Sequence, residues 1–298
     1  MRKKKLSDII IMLSLGKGRP IAKIIGGRLN GELIHIKDEK DEDEEQHSHD
    51  HCEYECCRKC NEKKCLIKPC CGGCGVNGGS DKDDIGKSFT LPEGKLIPVP
   101  NIDTREVSFI AGPSGSGKST LASKYLEHYK KMHPEKPIII FSRKDADPVL
   151  DRLKPLRFII DESMVDEPID VMKELKGGAC VLFDDCNTFQ DDKVKKAVAK
   201  LMHDILEIGR SAGIYCVITS HLINPNERKD SRTIWNESHT VTLFPKSGNR
   251  HGMMYALKNY CGFDNKTIEK ILALPSRWVL VGKQYPLYVL HEKGAELI

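Results

Sequence analysis

One glycine-rich stretch constrains this chain more than any other: Gly112-Pro-Ser-Gly-Ser-Gly-Lys-Ser-Thr120, which satisfies G-x-x-x-x-G-K-[ST]. The chemistry needs these residue types. Glycines let backbone N–H groups curl round phosphate oxygens with no Cβ in the way. The lysine supplies a cation to the β- and γ-phosphates, and the hydroxyl after it offers a ligand to Mg²⁺. Gly112, Pro113, Ser114, Gly115, Ser116, Gly117, Lys118, Ser119 and Thr120 are therefore the candidate phosphate-binding residues. The context agrees: an apolar run, Val107–Ala111, leads in and a helical stretch, Leu121–Lys130, leads out.

The rest of the compact sequence fits an α/β protein. Val107–Ala111, Ile138–Phe141, Ala179–Phe183, Ile214–Thr219 and Thr240–Phe244 read as buried strands. Between the third and fourth, Lys193–Ile208 places Val194, Ala197, Val198, Leu201, Met202, Ile205 and Ile208 at helical spacing. Strands alternating with helices predict a mainly parallel sheet covered by helices on both faces, with its active site at the carboxyl ends of the strands. At 298 residues the chain is long enough to hold such a core without disulfides.

Composition divides the chain into an N-terminal segment (1–36), an acidic and cysteine-rich insertion (37–87) and the α/β part (88–298). Within the first, Ile21–Ile36 carries Gly26-Gly27 and Asn30-Gly31 as turn signals and reads as a short hairpin. The insertion is too polar to bury a core. A net charge of +4 is nearly silent on partners. No stretch approaches the ~18–20 apolar residues of a membrane span. Met1–Lys5 before Ile9–Leu15 faintly mimics a leader, but Asp8 interrupts the apolar region, so the expected location is intracellular.

The third strand runs straight into Asp184-Asp185. An acid at that strand tip is placed to hold Mg²⁺ through its water shell, and a second beside it to orient or deprotonate an attacking water. The plainer reading is a helix cap or a solvated turn, with Asn187 and Asp191-Asp192 nearby. The long helix ends at Gly209-Arg210 and the fourth strand at Thr219-Ser220-His221. Arg210 suits either an arginine finger reaching a neighbouring subunit or a charge complementing the helix dipole. Ser220 and His221 suit contact with a γ-phosphate or the lytic water, and His221 equally suits an ordinary loop histidine.

These motifs together resemble the FtsK/HerA branch of P-loop motor ATPases, and within it the poxvirus-type genome-packaging ATPases of large double-stranded DNA viruses. The carrying residues are Gly112–Thr120, Val181–Asp185, and Gly209-Arg-Ser-Ala-Gly-Ile214 followed by Val217-Ile-Thr-Ser-His221, with Thr240–Lys246, Leu274–Val279 and Tyr285–Val289 downstream. The likeness spans roughly residues 105–290. It implies ATP hydrolysis with magnesium and a homo-oligomer, a hexameric ring, that moves double-stranded DNA. It further implies a capsid or portal partner and a location in host cytoplasm, viral factory or virion. It also implies one extra strand between the phosphate-loop strand and the Asp184 strand. Two positions depart from the family's pattern: Asp185 stands where Glu is usual, and His221 where Gln is.

Eight of the twelve cysteines fall between 52 and 74: Cys52, Cys56, Cys57, Cys60, Cys65, Cys70, Cys71 and Cys74. Cys57-x2-Cys60 and Cys71-x2-Cys74 have zinc-knuckle spacing, and eight thiolates would close two tetrahedral sites, with His47, His49 and His51 as substitutes. A disulfide framework, an iron–sulfur cluster and an unstructured metal-scavenging tail are the other uses of such a run. A structural zinc element would touch DNA, a portal or another protein. Cys180, Cys186, Cys216 and Cys261 lie on apolar elements and read as packing. Arg143-Lys144 and Lys3–Lys5 read as solvated charge, or as contacts to phosphate or nucleic acid, and Trp278 reads as core. Besides a DNA motor, the sequence admits a P-loop phosphotransferase for small molecules or a zinc-bearing interaction protein that binds nucleotide.

Overall fold

The computed structural model describes residues 11–38, 84–175, 177–186, 191–224 and 228–298. The strands are β1 (Ile11–Ser14), β2 (Arg19–Ile25), β3 (Leu33–Asp38), β4 (Asp84–Gly86), β5 (Ser88–Thr90), β6 (Lys95–Pro98), β7 (Val107–Ala111), β8 (Ile138–Ser142), β9 (Leu156–Ile159), β10 (Cys180–Asp184), β11 (Tyr215–Ser220), β12 (Thr240–Leu243), β13 (Val279–Gly282), β14 (Tyr288–His291) and β15 (Gly294–Leu297). The helices are α1 (Lys118–Met132), α2 (Ser163–Asp166), α3 (Val171–Glu174), α4 (Asp192–Glu207), α5 (Arg228–Glu237), α6 (Arg250–Cys261) and α7 (Asn265–Ala273). Among the described residues no helix is long and apolar enough to cross a membrane.

Ten strands form one sheet in the order β5-β15-β14-β13-β12-β7-β11-β10-β8-β9. From β12 to β9 every pairing is parallel; from β12 outward through β13, β14, β15 and β5 every pairing is antiparallel. β11 lies between the phosphate-loop strand β7 and the Asp184 strand β10, where the extra strand is expected. β7, β8, β10 and β11 are buried from end to end, which is why their sequences read as continuous apolar runs rather than alternating ones.

Their side chains still alternate between two cores. Phe109, Ile139, Phe141, Val181, Phe183 and Ile218 pack under α4, α6 and α7, with Ile234 and Trp235 of α5. Ile110, Ile138, Ile140, Leu182 and Val217 pack under Leu121, Tyr125, Leu126 and Tyr129 of α1. That second face is shared with a five-stranded antiparallel sheet, β4-β1-β3-β2-β6, whose Leu13, Ile24, Ile34 and Leu96 are fully buried. Helices thus cover both faces as expected, and on the second they share it with this additional sheet. The hairpin is β2–β3, closed where Gly26 N–H donates to Asn30 Oδ1 at 2.8 Å, and it is the middle of a larger sheet. β6, downstream of the insertion, pairs with β2 and completes it.

Local chemistry sets the helix ends. α4 begins one residue before its predicted start because Asp191 caps it, accepting from Lys193 and Val194 N–H. α1 begins at Lys118 because the last residues of the glycine-rich motif are its first turn.

Candidate active site at the carboxyl ends of the parallel strands

The phosphate loop leaves β7 at Gly112, whose N–H donates to Ser220 O of β11 at 2.9 Å. A Cβ there would sit 2.4 Å from the Phe244 ring, so only glycine fits. Gly117, with φ +110, turns the chain into α1. Lys118 folds back over the loop it follows: its Nζ donates to Gly112 O at 3.0 Å and Pro113 O at 3.4 Å. A brace arrives from far along the chain. Arg277 Nε donates to Ser116 O at 2.8 Å and its Nη2 to Gly115 O at 3.1 Å, while Arg277 N–H is held by Glu292 Oε2 at 2.9 Å. The loop's carbonyls are therefore engaged from outside.

Asp184 ends β10 and is only 2% exposed. Thr219 of β11 donates to its Oδ1 at 3.0 Å, Ser142 of β8 lies 3.5 Å from Oδ2, and Lys144 Nζ 3.9 Å from the same oxygen. Burial raises the proton affinity of Asp184 above the ordinary carboxylate value, the charge of Asp185 adds to this, and the Thr219 bond opposes it. A hard oxygen ligand held in this way fits a divalent cation, whose charge would relieve that cost. Ser119, the motif hydroxyl expected to ligate such a cation, follows Lys118 in the first turn of α1.

Asp185 takes φ +52, a conformation that Asp tolerates better than most residues. The turn lets its N–H donate to Thr219 Oγ1 at 2.9 Å and carries its carboxylate toward the loop. There Oδ1 lies 3.7 Å from Lys118 Nζ and Oδ2 lies 3.0 Å from His221 Nε2. His221 Nδ1 is 3.1 Å from Lys118 Nζ, closing a triangle of lysine, histidine and carboxylate. Burial pushes Lys118 below the ordinary lysine value, and Asp185 and then Asp184 pull it back.

Of the candidates, Lys118, Asp184, Asp185 and His221 come together. Ser220 joins through its backbone: its carbonyl ties Gly112, while its hydroxyl donates to Leu222 O at 2.7 Å. Arg210 does not join. It is exposed in the turn before β11, at the far end of the sheet from Gly112. At the α4 C-terminus it is Arg105 that donates to the helix carbonyls, to Ile205 O at 2.9 Å and to Leu206 O. Thr219 entered the sequence reading only within the polar cluster Thr219-Ser220-His221 at the strand tip, without a role of its own; Arg277 and Arg105 were given no site role, because their partners lie 100 residues or more away in sequence. Trp278, Cys180, Cys186 and Cys216 are buried and pack. The cysteines at 52–74 and the histidines at 47, 49 and 51 lie outside the described residues. Among the described residues no group of three or more His, Cys, Asp or Glu is arranged to hold a metal.

No protein-family model matches the chain. A protein of Sputnik virophage, "Uncharacterized protein V3", is 37% identical over 291 residues, covering 97% of this chain and 100% of that protein. Among solved structures, the DNA-packaging ATPase B204 of Sulfolobus turreted icosahedral virus superposes with TM-score 0.42 at 15% identity, over 66% of this chain and 99% of that one. The cytoplasmic domain of the type VII secretion ATPase EccC of Thermomonospora curvata superposes with TM-score 0.47 at 15% identity, over 70% of this chain and 28% of that one. The chain belongs to the same family as protein V3 of Sputnik virophage, and its motifs and strand order are those in which it resembles the FtsK/HerA branch of P-loop ATPases.

Proposed function

We propose that this protein is an ATP-hydrolysing motor that packages or translocates double-stranded DNA as a homo-oligomeric ring. One observation carries the ATPase reading. Lys118, Asp184, Asp185 and His221 converge at the carboxyl ends of β7, β10 and β11, beside the glycine-rich loop. In this reading Lys118 and the loop amides hold the β- and γ-phosphates. Ser119 and Asp184 organise Mg²⁺, which neutralises charge on the phosphates. Asp185 orients or deprotonates the attacking water, Ser220 and His221 register the γ-phosphate, and Arg210 completes the site of a neighbouring subunit. The position of Arg210, too far from its own loop to act there, supports that last role. The DNA substrate rests on the sequence resemblance, and kinship with a virophage protein agrees with a viral setting. Zinc binding by the 52–74 cysteines is proposed from their spacing, and metal analysis of the purified protein checks it.

The test is steady-state ATP hydrolysis with and without double-stranded DNA, with Lys118→Ala as the blank. Stimulation by DNA that vanishes in the blank is expected. Turnover indifferent to DNA would remove the motor and leave an NTPase with another acceptor.

A further inference from the structure

Granted ATP hydrolysis at this loop, the atom that receives the proton of the attacking water is a separate matter, and the geometry narrows it. Of the two Asp185 oxygens, Oδ2 is taken by His221 Nε2 at 3.0 Å, while Oδ1 lies 3.7 Å from Lys118 Nζ, sealed from solvent and without a hydrogen-bond partner among the described residues. The imidazole is placed differently. Its side chain is 40% exposed, against 16% for Asp185. It lines a cleft of about 360 Å³ together with Gly112, Pro113, Leu222 and Gly248, and Asp185 does not.

The tautomer follows from the neighbours. The Lys118 ammonium has donors and no acceptor, so across 3.1 Å the His221 Nδ1 must present its lone pair to it. The ring proton then sits on Nε2, donated to Asp185 Oδ2. Lys118 and Asp185 are the charged groups on the elements that meet this ring, one on each side. Lys118 meanwhile divides its donors among Gly112 O, Pro113 O and His221. Phosphate oxygens that claim the ammonium release the Nδ1 lone pair at the mouth of the cleft, beside the phosphate loop.

We propose that His221 Nδ1, backed by Asp185, is the base that accepts the proton of the attacking water, and that Asp185 is a positioning residue rather than the acceptor. In the step, the water O–H proton moves to Nδ1 as the water oxygen bonds to the γ-phosphorus and the bond from that phosphorus to the β–γ bridging oxygen breaks. The leaving electron pair stays on the ADP β-phosphate beside Lys118. The imidazolium charge is offset by the Asp185 carboxylate that its Nε2–H faces, and its Nδ1 proton passes to the released phosphate or to solvent.

The experiment compares wild type, His221→Gln, Asp185→Asn and the double variant. It measures kcat and KM for ATP across pH, with Kd for a fluorescent non-hydrolysable analogue and a melting curve to show that each variant is folded. His221→Gln is expected to lower kcat by about 10²- to 10⁴-fold. Its analogue Kd should stay within about threefold of wild type, because only the reacting geometry is changed. The double variant should be no slower than His221→Gln alone, since the pair acts as a unit. The wild-type kcat should fall on the acid side, and the residual activity of His221→Gln should lack that limb. His221→Gln keeping kcat within about threefold, or an acid limb that survives in it, would return the base to Asp185 and overturn the proposal. Loss of analogue binding together with turnover would make His221 a binding residue, with the same consequence. A wild type that turns over no ATP in any condition fails earlier, at the ATPase reading itself, and is recognised because all four proteins are then equally silent.

Discussion

Two buried carboxyls lie at opposite ends of the central strands, and burial pushes each toward protonation. At the amino end of β7, Glu106 is 6% exposed, accepts from Asn101 N–H at 2.7 Å and Thr240 Oγ1 at 2.9 Å, and is pushed up to about 7. At the carboxyl end, Asp184 is 2% exposed and accepts from Thr219 at 3.0 Å. By burial and hydrogen bonding the two are alike. They differ in what faces them. Glu106 sits in a closed core beside Tyr125 and Tyr288, with each oxygen satisfied from within the fold. Asp184 adjoins Asp185, Lys118 and Lys144 on the rim of a glycine loop. A raised carboxyl is therefore a poor pointer to function on its own; convergence with Lys118, His221 and the glycine loop distinguishes the carboxyl end, the proposed working end, from the amino end.

Lys118→Ala breaks the working end most severely. Removing the cation that faces the phosphates should cost about 10³-fold or more in kcat/KM for ATP, read by hydrolysis assays, while the melting temperature changes little. Arg210→Ala tests whether the amino end contributes to catalysis at all. Its own site is intact, so nucleotide binding should persist while turnover of the assembled protein falls by about 10³-fold. Mixing Arg210→Ala with Lys118→Ala subunits should then restore a measurable fraction of activity, because each supplies what the other lacks at a shared site. No restoration would confine Arg210 to the surface of its own subunit.

Arg277→Ala is milder. It removes two charge-assisted bonds to the outward carbonyls of Gly115 and Ser116 and leaves every residue facing the phosphates in place. The loop should lose preorganisation rather than chemistry, so KM for ATP rises by about tenfold with kcat within about threefold. A kcat effect larger than the KM effect would move Arg277 from support of the loop to contact with the reacting groups.

What the sequence made legible follows the same division. β7, β8, β10, β11 and β12 were readable because each is buried from end to end, and three of them lead into Gly112, Asp184 and His221, whose chemistry is local; β9, largely exposed at the edge of the sheet, was not read. The strand order was open to inference only through the family resemblance, since nothing in Tyr215–Ser220 itself says that it inserts between β7 and β10. The five-stranded sheet was mostly hidden. β2 and β3 carry turn residues between them, but β1, β4 and β6 are 3 to 4 residues long, and their pairings leap across the 39–83 stretch, so no periodicity could declare them. Within the site, Lys118 and Asp184 were legible by motif. The triangle with His221 was not, because it depends on the positive φ of Asp185, which no neighbouring residue announces. Arg277 and Arg105 act on backbone carbonyls, and a carbonyl leaves no trace in the sequence of its partner.

The finest test of the comparison lies at Glu106. Unfolded, this carboxyl has its ordinary value of 4.5; folded, it is pushed up to about 7, because burial outweighs the bonds from Asn101 and Thr240. Between those values the folded form holds the extra proton. The contribution to stability is therefore fully present below about pH 4.5 and lost as pH rises through about 7, at most about 3 kcal/mol. His239, pushed down to about 4 by burial, works in the opposite sense, favouring the fold above its ordinary 6.5 and withdrawing that support as pH falls. The wild-type melting curve mixes the two, so the informative quantity is the difference between Glu106→Gln and wild type. The amide can still accept from Asn101 and donate to Thr240. At pH 5 the two proteins should melt nearly together. At pH 8 the wild type carries a buried charge, and the variant should melt about 5 °C higher. ATP turnover should not follow this difference, because Glu106 lies at the end of β7 away from the phosphate loop. A pH-independent offset in melting would show that Glu106 stays charged through the range. In that case the amino end holds a paired anion as the carboxyl end does, and the contrast between them rests on the glycine loop alone.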